Sequence, residues 1–114
     1  MACTTLTHED LNPNNVLLTR DRSGWCLGGI LDFDSAWAGC PESDLARLEL
    51  WRGMTHPAFW DGYTTVVSID DGYPARRPIF QLLWCLEYAR PTRIHVADTA
   101  RVCRALGVEA PAFP

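Results

Sequence analysis

The tightest constraint on this chain of 114 residues is a spacing. His8, Asp10 and Asn15 fall inside a polar run from Thr7 to Asn15, and a further acid, Asp32, follows Asn15 by seventeen positions. Pro13 between two asparagines marks that run as a loop. Val16-Leu17-Leu18 reads as a short strand, Arg20 to Gly24 carries turn chemistry, and Trp25 to Phe33 reads as a returning strand. A hairpin of that kind closes on itself, so Asp32 comes back alongside Asn15. The chain must therefore bring a polar loop and an acidic strand end to one place.

The remainder reads as helical, which makes the fold class α+β. Asp34 to Glu42 is irregular, punctuated by Gly39 and Pro41. Ser43 is the expected N-cap of a helix from Asp44 to about Arg52, stopped by Gly53. Pro57 suits the first position of a helix through Phe59, Trp60 and Tyr63. Between Ala75 and Arg90, Ile79, Leu82, Leu83 and Leu86 recur at i, i+3, i+4 and i+7, which predicts one apolar helix face. Pro91 closes that helix, and a last one spans Thr92 to Leu106 with Gly107 as its stop.

Composition narrows the partners. The net charge is −4, and all ten basic residues are arginines with no basic run, which argues against a phosphate-tracking nucleic-acid surface beyond a local patch. No stretch approaches the roughly 20 apolar residues that span a bilayer, and no basic segment leads into an apolar one at the N-terminus. A soluble, cytoplasmic protein with neither nucleic-acid nor membrane partners is expected. The five cysteines are odd in number and show no C-x-x-C spacing, so buried thiols are expected rather than disulfides or zinc.

The pattern H-x-D-L-x-x-x-N at residues 8–15 matches the protein-kinase catalytic loop, and Leu31-Asp32-Phe33 matches the start of its metal-binding D-F-G. In-line phosphoryl transfer asks for a carboxylate that orients and deprotonates the attacking hydroxyl, and for oxygen ligands that hold Mg²⁺ against the phosphates. Magnesium keeps several waters and takes one or two carboxylates from a protein. A loop turning back between Asp10 and Asn15 aims a carboxylate at the substrate and an amide oxygen at the metal. The competing reading treats these residues as turn formers and caps. Asp44, at a helix start, suits a structural cap better than a ligand, and His8 suits loop shaping better than a base.

At these residues the chain resembles the aminoglycoside phosphotransferase family, a group of small-molecule kinases that includes choline-kinase-like and fructosamine-kinase-like relatives. The family's H-G-D-L-H-x-x-N, I-D-W/F and G-D-P-x-x-D-L-A stretches correspond to residues 8–15, Leu31-Asp32-Phe33 and residues 39–46. The resemblance implies the C-terminal lobe of a protein-kinase-like fold. Residues 1–114 would form a partial phosphotransferase domain, with catalytic and metal-binding loops at 7–46, helices at 43–107 and a tail at 108–114. It implies Asp10 as catalytic base, Asn15 and Asp32 as Mg²⁺ ligands, ATP or GTP as donor, and a hydroxyl of a small molecule as acceptor. His8 and Asp44 then shape the loop, and the substrate-binding residues are not identified.

The chain departs from that pattern at several points. Glu9 stands where the family has glycine, and its charge beside Asp10 is expected to raise the carboxylate pKa values. Asn12 replaces a histidine and Cys40 an acid. The sequence has no lysine, and six residues precede Thr7 where the family carries a nucleotide-gripping lobe. Gly28-Gly29 lies inside a strand and cannot act as the phosphate loop. A fragment is expected, with a missing N-terminal lobe or a partner covering exposed apolar surface. Trp51, Phe59, Trp60 and Trp84 are candidates for that face, with core packing their default role. Asp61 and Glu87 are read as solvated helix charges before a site for a cationic acceptor. Two alternatives remain: a degenerate, non-catalytic kinase-like module that binds a partner or a nucleotide, and, more weakly, a metal hydrolase built on His8, Asp10 and Asp32.

Overall fold

The computed structural model describes residues 4–113, so the expectation for Cys3 lies outside the described residues. The architecture is α+β: two separate two-stranded antiparallel sheets precede four helices. Strands β1 (Thr5–Thr7) and β4 (Trp37–Gly39) pair Thr5 with Gly39 and Thr7 with Trp37. They form a short base from which residues 8–36 extend. Both strands lie in stretches that the sequence presents as loop or terminus. Three-residue strands thirty positions apart carry no alternating pattern that a local reading can detect.

The hairpin of β2 (Val16–Asp21) and β3 (Gly24–Ile30) forms as expected, but β2 runs on through Arg20 and Asp21, and β3 stops before Leu31-Asp32-Phe33. Asp21 makes the turn, accepting from the Ser23 amide at 2.7 Å, and Gly24 has a φ of +120°. The ladder shifts between Leu17 and Leu18, opposite Gly28. A Cβ on Gly28 would meet Thr19 Cγ2 at 2.7 Å, so the bulge needs a glycine there.

Helix α1 (Pro41–Leu48) starts earlier than the Ser43 cap predicts, because Pro41 takes the first-turn position with Glu42 and Asp44 in the dipole-favoured first turn. Its end is also earlier: Leu50 and Trp51 continue in turns, their amides bonded three residues back. Helix α2 (Pro57–Thr64) opens at Pro57 as expected. Helix α4 (Arg93–Leu106) is capped by the Thr92 hydroxyl and ends on Gly107 at φ +68°.

Helix α3 (Tyr73–Glu87) holds the main correction. The predicted apolar face does not point into the core: Ile79, Leu83 and Leu86 are exposed. The buried face steps by fours through Tyr73, Gln81 and Cys85, and it packs between α1 and α4. Gln81 satisfies itself there by donating to the Ala46 carbonyl at 2.9 Å. The core proper is Leu45, Ala46 and Tyr73, with Phe59, Trp60, Tyr63, Ile69 and Phe80 packed on it. Burial pushes the Tyr73 hydroxyl pKa up, reinforced by its 2.6 Å bond to Glu49. Arg76 clamps α3 to α1 through a two-point pair with Glu42, at 2.9 and 2.7 Å.

Phe59 and Trp60 therefore join the core, whereas Trp51 and Trp84 form a separate edge-to-face pair at 5.6 Å. Bare apolar surface lies on the hairpin and the outer face of α3, and also at Leu6, Trp37, Val66 and Ile94. The Cα radius of gyration is 15.3 Å, against about 13 Å for a compact chain of this length. Among the described residues, no helix is long and apolar enough to cross a membrane.

Candidate functional site

The polar run after β1 is a loop whose every turn is fixed by a short polar bond. Asn12 caps a single 3₁₀ turn at Pro13–Asn15 by accepting from the Asn14 amide at 2.9 Å, while its own amide donates to the Asp10 carbonyl at 3.1 Å. Asn15 Nδ2 donates to the same carbonyl at 2.9 Å and approaches Asp10 Oδ2 at 3.4 Å. The loop thus folds back so that Asp10 and Asn15 touch, as the spacing requires. The half-buried Asp10 carboxylate meets long contacts from Asn12 and Asn15, at 3.3 and 3.4 Å.

His8 ties this loop to the far end of the hairpin. The Asp10 amide donates to His8 Nδ1 at 3.1 Å, so that nitrogen carries a lone pair and Nε2–H donates to the Leu31 carbonyl at 2.6 Å. The ring, 4% exposed, also packs edge-on against Phe33 at 4.5 Å. Leu31 is held from its other side by the Asn15 carbonyl, which accepts its amide at 2.8 Å. Asp32 therefore sits between two pinned neighbours, with a φ of +61°. A non-glycine residue in that region costs about 1–2 kcal/mol, a strain that clusters at functional positions.

The donor set suits a hard cation. Asn15 commits its Nδ2 to Asp10, so its amide oxygen and the Asp32 carboxylate are the candidate ligands for such a cation. Among the described residues no cluster of three or more His, Cys, Asp or Glu gathers as a transition metal would need. With both His8 nitrogens engaged, the hydrolase alternative loses its histidine ligand. His56 caps α2 and His95 bonds the Cys85 carbonyl at 2.8 Å, so neither joins the site.

Asp44, near the start of α1, reaches across to the loop. Its two oxygens accept the consecutive amides of His8 at 2.7 Å and Glu9 at 2.9 Å. Glu9 has a φ of +65°, the conformation that lets glycine suit this position. Its side chain points away from Asp10. Oε1 accepts from Thr7 Oγ1 at 2.7 Å and Trp37 Nε1 at 3.2 Å, and Oε2 accepts from Ser43 Oγ at 2.8 Å. The expected rise in its pKa is overturned. Partial burial pushes it up, but the donors Thr7, Ser43 and Trp37, aided by Arg47, hold the carboxyl below its usual value.

Sequence reading missed Arg47 and Tyr88. Arg47 is buried under the loop, 3.8 Å from Glu9 and 3.9 Å from Glu87, with its guanidinium over the Tyr88 ring at 5.6 Å. The Tyr88 hydroxyl pKa is pushed up by burial, then by Glu87, Asp10 and Glu9, so the C-terminal end of α3 faces the loop. Trp84 stacks beside Tyr88 at 5.9 Å and extends this wall to Trp51. No local pattern announces these contacts, because Tyr88 lies beyond the last periodic apolar position of α3.

A loop of this construction, followed by an antiparallel hairpin and then helices, is consistent with a fragment of a kinase-like fold. The chain matches the fructosamine kinase family over residues 2–100 and belongs to that family. This narrows the expectation, which named the aminoglycoside phosphotransferases in particular. Among curated proteins it is similar to a probable ketoamine kinase of Vibrio parahaemolyticus, 31% identical over 98 residues. Another probable ketoamine kinase, from Vibrio cholerae, is 36% identical over 76 residues. The matches cover 86% and 66% of this chain but 32% and 26% of those relatives, so the chain spans about a third of their length or less. No solved structure matches the chain significantly.

Proposed function

We propose that this chain carries the catalytic and metal-binding segment of a cytoplasmic kinase that transfers the γ-phosphate of ATP or GTP to a hydroxyl of a ketoamine-type small molecule. The observation that carries the reading is the convergence of Asp10, Asn15 and Leu31-Asp32 through three short bonds. These are Asn15 Nδ2 to the Asp10 carbonyl, Leu31 amide to the Asn15 carbonyl, and His8 Nε2 to the Leu31 carbonyl.

In this reading Asp10 orients the acceptor hydroxyl and takes its proton as the new P–O bond forms. The Asn15 amide oxygen and the Asp32 carboxylate would hold Mg²⁺, which when bound neutralises charge on the phosphates. His8 and Asp44 keep the loop in the one conformation that serves both tasks. The names of the two Vibrio relatives support a ketoamine acceptor. The remainder of such a kinase would supply the nucleotide-gripping lobe and cover the bare hairpin.

A calorimetric titration of the chain with Mg·ATP, beside its Asp32→Ala variant, tests the reading. Saturable binding lost in the variant supports it. Binding that Asp32→Ala leaves unchanged removes Asp32 from the metal site.

A further inference from the structure

We propose that Glu9 is a positioning residue for Asp10, its carboxylate serving as a clasp that fixes the catalytic loop to the β1–β4 base and to α1. The inference rests on Asp10 being the base, and it concerns a position where related kinases place glycine.

Four observations meet at this side chain. First, its donors come from three elements, Thr7 on β1, Trp37 on β4 and Ser43 on α1, with the Arg47 guanidinium of α1 3.8 Å away. Each donor alone could be satisfied by water, but a single carboxylate engages them all. Second, Gly39 makes room for it. A Cβ there would lie 2.5 Å from Thr7 Oγ1, 2.9 Å from Trp37 Nε1 and 3.2 Å from Glu9 Oε1. The strand is hollowed at the point where the clasp sits.

Third, the buried cation beneath it depends on Glu9. Arg47 is 4% exposed, and its Nε and Nη1 find no hydrogen-bond partner among the described residues. Of its two nearby carboxylates, Glu87 is largely in solvent, whereas Glu9 is mostly covered. A buried guanidinium without an anion is strongly disfavoured, so Glu9 and Arg47 hold each other in place.

Fourth, the backbone of Glu9 is anchored separately. Its amide and that of His8 are taken by Asp44, while its side chain is taken by the clasp. One left-handed residue is thereby fixed at both main chain and side chain, immediately before Asp10. Displacement of the backbone that leads into Asp10 is opposed at each attachment, so losing either one loosens it. Glycine at this position gives the turn its φ, but it leaves Thr7, Trp37, Ser43 and Arg47 facing an empty centre.

The test compares Glu9→Gly and Glu9→Gln with the parent chain. Glycine relieves the left-handed backbone but strips the buried Arg47 of its covered anion, so Glu9→Gly is expected to melt below the parent, and order is compared at a temperature where both are folded. The backbone order parameter at Asp10 should nevertheless fall from about 0.85 to below about 0.6, with the values in α1 and α3 unchanged. In phosphoryl transfer, kcat should fall roughly 10- to 100-fold with KM for nucleotide unaltered, the signature of a misplaced base. Glu9→Gln retains one acceptor oxygen and should recover part of both losses. An Asp10 amide as ordered in Glu9→Gly as in the parent overturns the proposal. Should Glu9→Gly fail to fold, Ser43→Ala combined with Trp37→Phe removes two of the donors and leaves the backbone alone; unchanged order at Asp10 there also overturns it. A parent chain that transfers no phosphate leaves the kinase reading to the Mg·ATP titration, while the order parameters decide the clasp.

Discussion

The catalytic loop and the hairpin that follows it are neighbours in sequence and opposites in construction. From Thr7 to Asn15 the loop is held by bonds to distant elements: Asp44 and Ser43 on α1, Trp37 on β4, and Leu31 beyond the hairpin. Its backbone adopts a left-handed turn at Glu9 and still has one conformation. The hairpin has a regular antiparallel ladder apart from its one bulge, yet none of its residues is buried. Leu17, Leu18, Trp25 and Leu27 stand in solvent. An isolated two-stranded hairpin is marginal at best in water. Precision in this chain therefore comes from polar side chains crossing between elements, and regular secondary structure by itself confers little.

Replacing Asp10 by alanine removes the one group in the loop that its neighbours barely engage. Turnover should fall by about 10²- to 10⁴-fold, the range for losing a general base. Melting should change little, because the long contacts from Asn12 and Asn15 contribute weakly. A variant with unaltered turnover would remove Asp10 from the chemistry while leaving the loop's architecture standing.

Asp44→Ala attacks the same loop from beneath. It strips the acceptors from two consecutive amides in a region that water reaches poorly. Each unsatisfied buried donor costs about 1–3 kcal/mol, so a loss of about 2–4 kcal/mol in urea unfolding is expected. Asp44→Asn, which keeps one acceptor oxygen, should lose about half as much. Equal stability in both variants would mean that the loop does not lean on α1.

These contrasts explain which features could be read from the residues. The loop, the hairpin turn, the Pro57 start and the Gly107 stop are written locally, in turn formers and caps a few positions apart. The β1–β4 pairing, the Asp44 bonds and the Glu9 clasp are not, because each joins residues about thirty or more positions apart without any period. Helix α3 shows the converse error. Its strongest apolar period marks a face that stays exposed, while Gln81 and Cys85 make the packed one. Periodicity reports that a face exists, not which neighbour it meets. Glu9 was the hardest to judge. Its sequence context suggests like-charge repulsion, and its reading depends on seeing that the side chain turns toward Thr7, Ser43 and Arg47.

The depressed pKa of Glu9 also gives the loop a pH dependence. A carboxyl held below its unfolded value of 4.5 contributes stability that is fully present above that value and is lost as pH falls through the folded pKa. Melting temperature should therefore decline on acidification below about pH 4.5, and the decline should be shallower in Glu9→Gln. Arg47 stays charged throughout, so protonating Glu9 leaves a buried cation with a weaker partner. An identical acid limb in the variant would assign the effect to other carboxylates.

The weakest response should come from the hairpin itself. Trp25 is 69% exposed, and its nearest partner is Arg20, whose guanidinium lies 5.7 Å from the ring. Trp25→Thr or Leu18→Thr deletes large apolar groups that cover nothing within the chain, and threonine suits a strand. Either change should alter unfolding free energy by less than about 0.5 kcal/mol, the scale of ordinary surface substitutions. In a longer polypeptide whose remainder covers the hairpin, the same substitutions would create a buried defect and cost about 2–5 kcal/mol. The difference between the two measurements would therefore report how much of the hairpin's apolar surface is an interface. Equal small effects in both would leave its exposed leucines and tryptophan without a structural purpose, and the loop alone would define what this segment contributes.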